Sequence, residues 1–127
     1  MNQQERDEMS DGAARYSVVY VTTGTEDEAR AIAHTLVQEQ LAACVNFYPI
    51  QSVYNWQGEP HQDAEWQLVI KTQLALFDTL AARVQALHSY EVPEIIALPL
   101  QAGAPTYLAW IAAQTSSNER SSSERDP

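Results

Sequence analysis

Apolar and polar positions alternate between two periods along this chain. Tyr16 to Thr23, with the run Val18-Val19-Tyr20-Val21, reads as a strand buried in the middle of a sheet. Thr25-Glu26-Asp27-Glu28 is a capping box, in which the Thr25 hydroxyl accepts from the Glu28 amide while the Glu28 carboxylate reaches back. The helix it opens runs to about Gln40. Ala29, Ile32, Ala33, Leu36 and Val37 form its apolar stripe, with Arg30, His34 and Gln38 opposite. Leu41 to Tyr54 has strand character interrupted by Pro49, which predicts a bend or bulge there. Asn55 to Pro60 is a turn region, and Glu65 to Lys71 returns as the second arm of an antiparallel hairpin. Leu74, Phe77, Leu80, Ala81, Val84 and Leu87 recur at spacings of three and four and predict a second helix. Glu91 to Leu100 reads as a further strand, and Pro105 to Ala113 as a short helix with proline tolerated at its start.

The order is β-α-β-β-α-β plus a short C-terminal helix. This is an α+β, ferredoxin-like arrangement of a four-stranded antiparallel sheet with two helices on one face, here with a long β-hairpin. One sheet face is then bare. The hairpin carries Phe47, Tyr48, Val53, Tyr54, Trp56 and Trp66, more apolar surface than two helices would cover. Burial by another copy of the chain is expected; the alternative is that these side chains fill the protomer's own core.

Composition narrows the picture. A chain of 127 residues suits one domain. The polar residues 1–14 and the Ser-rich residues 116–127 read as a disordered leader and tail, leaving 15–115 as the folded unit. Between Tyr16 and Thr115 only Arg30, Lys71 and Arg83 are basic, within a net charge of -10 for the chain. That distribution argues against nucleic-acid binding, which needs clustered Lys and Arg. No apolar run approaches the roughly eighteen residues of a membrane span. The N-terminus lacks the basic start and apolar stretch of a signal peptide, so a cytoplasmic protein is expected.

The candidate chemistry is concentrated in His88-Ser89-Tyr90-Glu91-Val92-Pro93-Glu94, where an imidazole, a phenol and two carboxylates follow a helix. His88 reads equally as a helix C-terminal cap or as a metal ligand helped by Glu91 and Glu94. Lys71, the only lysine, is expected to pair with a carboxylate such as Glu91 or Glu94, or else to capture an anion in a cleft. Cys44, the single cysteine, sits in an apolar strand, where packing is the usual role and metal or redox chemistry the alternative. His34 and His61 look isolated and carry no assignment. Neither a phosphate-cradling glycine loop nor a nucleophile elbow is present, so an enzyme is not expected.

Five segments in register resemble the CutA family of divalent-cation tolerance proteins: Leu41-Ala42-Ala43-Cys44-Val45-Asn46, Ser52 to Gly58, Ile70-Lys71-Thr72, His88 to Ile95, and Gly103 with Tyr107 to Trp110. The resemblance spans roughly residues 17–113. It implies a ferredoxin-like protomer in a homotrimer similar to PII signalling proteins, with inter-subunit clefts lined by Lys71, His88, Tyr90 and Glu91, and Glu94 beside them. It also implies a part in tolerance of copper or other divalent metals. At the positions of the family's copper-binding cysteine and first histidine this chain has Thr22 and Leu87. Metal binding would then rest on His88, with Glu91, Glu94 or Cys44 assisting. A PII-like trimer binding a small ligand, without a dedicated metal site, is the alternative.

Overall fold

Thr23 ends the first strand, β1 (Tyr16–Thr23), and the chain turns at Gly24 into a helix, α1 (Glu26–Gln38). The computed structural model describes residues 15–116. The expected leader and nearly all of the expected tail lie outside these residues. The remaining elements are β2 (Cys44–Trp56), β3 (Glu59–Gln73), a single 3-10 turn at Leu74–Leu76, α2 (Phe77–Leu87), β4 (Ile95–Pro99) and α3 (Pro105–Gln114). The strands form one antiparallel sheet in the order β2-β3-β1-β4. This is the expected ferredoxin-like topology.

α1 begins as predicted and ends earlier. The Thr25 hydroxyl accepts from the Glu28 amide at 3.1 Å. The Glu28 carboxylate does not return to Thr25, however; it accepts from the Ser89 amide at 2.7 Å. At the other end Gln40 takes a left-handed conformation, φ 59°. The Gln40 amide donates to the Val37 carbonyl and the Leu41 amide to the Leu36 carbonyl, at 3.0 and 2.9 Å. This pair of bonds is the Schellman closure, and it stops the helix at Gln38. Leu36 and Leu41, which the closure brings together, both join the core.

Alternation along β1 separates two faces. Ser17, Val19, Val21 and Thr23 are fully buried and face the helices, while Val18, Tyr20 and Thr22 point the other way and are only partly covered. Val19 and Val21 pack with Ile32 and Leu36 of α1, Leu68 and Ile70 of β3, and Leu80 and Val84 of α2. Phe47 and Trp66 pack against the same core, so these two aromatics belong to the protomer. Val37, expected on the apolar stripe of α1, is 43% exposed. α3 buries Ile111 against Tyr16 and Ala43. Gln73 ties α3 down by donating to the Thr115 hydroxyl at 2.9 Å.

The hairpin differs from expectation in two respects. No bulge forms at Pro49: the β2–β3 register runs unbroken from Cys44↔Lys71 to Trp56↔Glu59. β2 is an edge strand, so a proline nitrogen can face its open side without removing a ladder bond. The return strand also starts at Glu59 rather than near Glu65, because Gln57 and Gly58 alone make the turn. Both have positive φ, 53° and 81°, the mirror-image geometry of a two-residue hairpin. Conversely β4 is shorter than expected, and residues 91–94 form a loop instead of strand. Pro93 in that loop has no amide to give a ladder.

On the face away from the helices, Tyr48 of β2 and Ile96 and Leu98 of β4 remain exposed. No helix among the described residues is long and apolar enough to cross a membrane.

Candidate functional site: an acidic cleft between the hairpin and the 88–94 loop

His88 caps α2, its amide donating to the Val84 carbonyl at 2.9 Å. The imidazole is fully buried. Nε2 lies 2.7 Å from the Thr22 carbonyl, and the Tyr90 amide donates to Nδ1 at 3.0 Å. A carbonyl only accepts and an amide only donates, so the geometry selects the Nε2–H tautomer and occupies both ring nitrogens. Nδ1 is also 3.8 Å from the Glu28 carboxylate. With its lone pair already accepting from Tyr90, that approach is not an ion pair in this tautomer. His88 is therefore a staple joining the loop to β1, and a metal could reach it only after one of these bonds broke.

The residues after His88 are tied at further points. Glu28 of α1 receives the Ser89 amide, the Tyr90 hydroxyl donates to Glu65 of β3 at 2.8 Å, and Gln85 of α2 donates to the Glu91 carbonyl at 3.1 Å. The Tyr90 ring lies over Gly24, where a β-carbon would meet its hydroxyl at 3.0 Å. So tethered, the loop turns Tyr90, Glu91, Val92 and Glu94 toward the hairpin. The opposing wall comes from strand alternation: His61, Asp63 and Glu65 on β3, and Tyr54 and Trp56 on β2. Thr22 is also in the lining, and the cleft is a half-open groove of about 870 Å³.

The lining holds four carboxylates, Asp63, Glu65, Glu91 and Glu94, and no Lys or Arg. Tyr54 donates a short hydrogen bond to Asp63. That bond, with burial and the charges of Asp63 and Glu65, raises the Tyr54 phenol above its usual range. Burial, then the bond to Glu65 and the charges of Glu65, Glu28 and Tyr54, push the Tyr90 phenol up strongly. Both phenols thus stay protonated as donors, which fixes their rings against the walls.

Burial alone would raise the Glu28 carboxyl. Hydrogen bonds from Ser89 and from the Gly24 amide outweigh it and hold Glu28 below 4.5. A depressed folded-state value stabilises the fold above the unfolded value, and that contribution is lost as pH falls through the folded value. Glu28→Gln is accordingly expected to flatten the acid limb of a melting-temperature profile below pH 4.5 while leaving the neutral limb parallel to that of the wild type. An unchanged acid limb would show that Glu28 has no such role.

Of the residues singled out in the sequence, Tyr90, Glu91 and Glu94 line the cleft and His88 lies behind it. Lys71 does not join them. It stands on β3 opposite Val18 and Cys44, and makes no ion pair among the described residues. Cys44, on the edge strand beside Lys71, is also outside the cleft. Among the described residues no three His, Cys, Asp or Glu side chains converge to hold a metal. The hairpin wall was not anticipated. Its only signal is the i, i+2, i+4 spacing of His61, Asp63 and Glu65, which places them on one face of a strand.

The antiparallel sheet, with a cleft at the margin of its open face, places the chain in the ferredoxin-like, PII-like class of small α+β proteins. The family model described as CutA1 divalent ion tolerance protein matches residues 17–114. The divalent-cation tolerance protein CutA of Thermus thermophilus is 50% identical over 99 residues, covering 77% of this chain and 96% of that protein. The chloroplastic CutA protein of Arabidopsis thaliana is 46% identical over 99 residues, covering 77% of this chain; the chain spans about half of that longer relative, 54%. The crystal structure of CutA1 from Oryza sativa superimposes with a TM-score of 0.79 at 44% identity, over 82% of this chain and 96% of that one. The chain belongs to the CutA1 divalent ion tolerance family.

Proposed function

We propose that this protein takes part in divalent-cation tolerance as a homotrimer that binds cations without a catalytic step. The observation that carries this reading is the cleft, whose lining is acidic and free of Lys and Arg. The names of the Thermus relative and of the matching family point to the same role. Thr22 and Leu87 stand where the family's soft copper ligands would be, and both nitrogens of His88 are engaged. A tight thiolate–imidazole copper site does not fit these residues. A cation such as copper(II) is held instead by the carboxylate oxygens of Glu91 and Glu94, weakly and with water completing its shell. Copies associate through the open sheet face, where Tyr48, Ile96 and Leu98 are exposed, which leaves the cleft at the margin between subunits.

Titration of copper(II) into the full chain tests the ion part of the reading. The double variant Glu91→Gln/Glu94→Gln is expected to bind about tenfold more weakly than the wild type. Equal affinity would remove these carboxylates from the site. A PII-like role in binding a small ligand is the second reading, favoured by a cleft of about 870 Å³, the size of a small-molecule pocket. An anionic metabolite is the poorer occupant, because Lys71 is not part of the lining.

A further inference from the structure

We infer that a proton taken up by His88 exchanges the Tyr90 amide for the Glu28 carboxylate at Nδ1, and so frees residues 90–94 from the histidine that caps α2. The inference rests on the hydrogen bonds of His88 and holds whatever the cleft binds. The imidazole is fully buried and uses both nitrogens: Nε2–H donates to the Thr22 carbonyl at 2.7 Å, and Nδ1 accepts from the Tyr90 amide at 3.0 Å. Only the neutral ring can make both bonds. An imidazolium carries N–H on both nitrogens and has no acceptor, so the Tyr90 amide loses its partner whichever way the ring is turned. The bond from Nε2–H to Thr22 is compatible with either form. The step adds one proton from solvent to the Nδ1 lone pair and breaks one hydrogen bond.

The new Nδ1–H has a receiver in place. Oε2 of Glu28 lies 3.8 Å from Nδ1 and already accepts from the Ser89 amide at 2.7 Å. A carboxylate oxygen has room for a second donor, and an approach of about 1 Å makes the contact a charge-assisted hydrogen bond. The charged and titratable groups around the ring come from three elements. α1 presents Glu28, the loop presents the Tyr90 phenol with ring centroids 4.9 Å apart, and β3 presents Glu65 through its bond with that phenol. β1 presents the Thr22 carbonyl. The arginines of the helices are engaged elsewhere, Arg30 with Glu26 and Asp27, and Arg83 with Glu39. Ser89 stays tied to Glu28, so the change begins at the Tyr90 amide. Beyond that point the Tyr90 hydroxyl on Glu65 and the Gln85 bond to the Glu91 carbonyl remain as tethers, and both are exposed.

The test is an NMR series on the full chain in metal-free buffer, from about pH 8 to about pH 5, the range over which histidines act as switches. The His88 ring nitrogens are expected to pass from the Nε2–H pattern to the imidazolium pattern, with the Tyr90 amide shifting along the same curve. Hydrogen-exchange protection of that amide, corrected for the intrinsic rate, should fall about tenfold, the effect of losing one hydrogen bond. The Ser89 amide, held by Glu28 in both states, serves as the reference. Glu28→Gln is expected to move the whole change to lower pH, because the imidazolium loses its counter-charge. His88→Gln, with circular dichroism to confirm its fold, should abolish the Tyr90 change, and His61→Asn should leave it in place. The inference is overturned if the ring stays neutral across the series, or becomes charged while the Tyr90 amide is unmoved. It is equally overturned if the Tyr90 change persists in folded His88→Gln, disappears in His61→Asn, or keeps its pH in Glu28→Gln. Should His88→Gln not fold, the wild-type curves and Glu28→Gln decide the matter without it.

Discussion

Replacing Leu98 with aspartate is expected to leave single folded copies in place of the proposed trimer. Leu98 is on β4, opposite Val18 of β1, and its side chain is 47% exposed on the sheet face that α1 and α2 do not cover. Ile96, two residues earlier on the same face, is 49% exposed. In the proposed assembly this face is buried, and the substitution would place one carboxylate per subunit in an apolar contact. Like charges brought together there cost several kcal/mol, roughly the scale on which small interfaces are decided. In the protomer the same position is solvated, so the melting transition of the isolated copy should remain cooperative. Sedimentation velocity reads the result; a full trimer in the variant would place the interface elsewhere.

A second large effect is expected from His88→Ala. The substitution leaves the Thr22 carbonyl and the Tyr90 amide without their partners and empties the space of a fully buried ring. Each buried polar group left unpaired costs about 1–3 kcal/mol, and the vacated volume adds to that. A loss of about 2–4 kcal/mol in urea unfolding is therefore expected. Glutamine can restore part of it, since its amide both donates and accepts. A loss below about 0.5 kcal/mol, the size of an ordinary surface change, would contradict the stapling role.

The sequence disclosed most where local chemistry and periodicity agreed. β1 was legible at both ends because an apolar run is followed by Gly24 and a capping threonine. The end of α1 was not, because its left-handed residue is Gln40, where glycine would have announced the stop. The outer part of β3, from Glu59 to Gln62, is polar and exposed on both sides, so no alternation marks it as strand. Pro49 suggested a bulge because a single sequence does not show which strand lies at the edge. The cleft was half legible for a related reason. The polar cluster from His88 to Glu94 is contiguous and conspicuous, but its opposing wall exists only because the long hairpin brings Glu65 to the hydroxyl of Tyr90, 25 residues away. His88 reads equally as cap or ligand in the sequence because nothing there shows that its ring nitrogens meet the Thr22 carbonyl and the Tyr90 amide.

In the proposed function, cation recognition is assigned to the cleft carboxylates and His88 has a structural role. Zinc(II) titration followed by NMR tests that assignment most directly, observing the side-chain nitrogens of His88 and the side-chain carboxylate carbons of Glu91 and Glu94 in one sample. Carboxylate signals that shift to saturation while the His88 ring nitrogens keep the pattern of the Nε2–H tautomer are predicted. His88 nitrogens that shift with zinc while Glu91 and Glu94 stay still would contradict it.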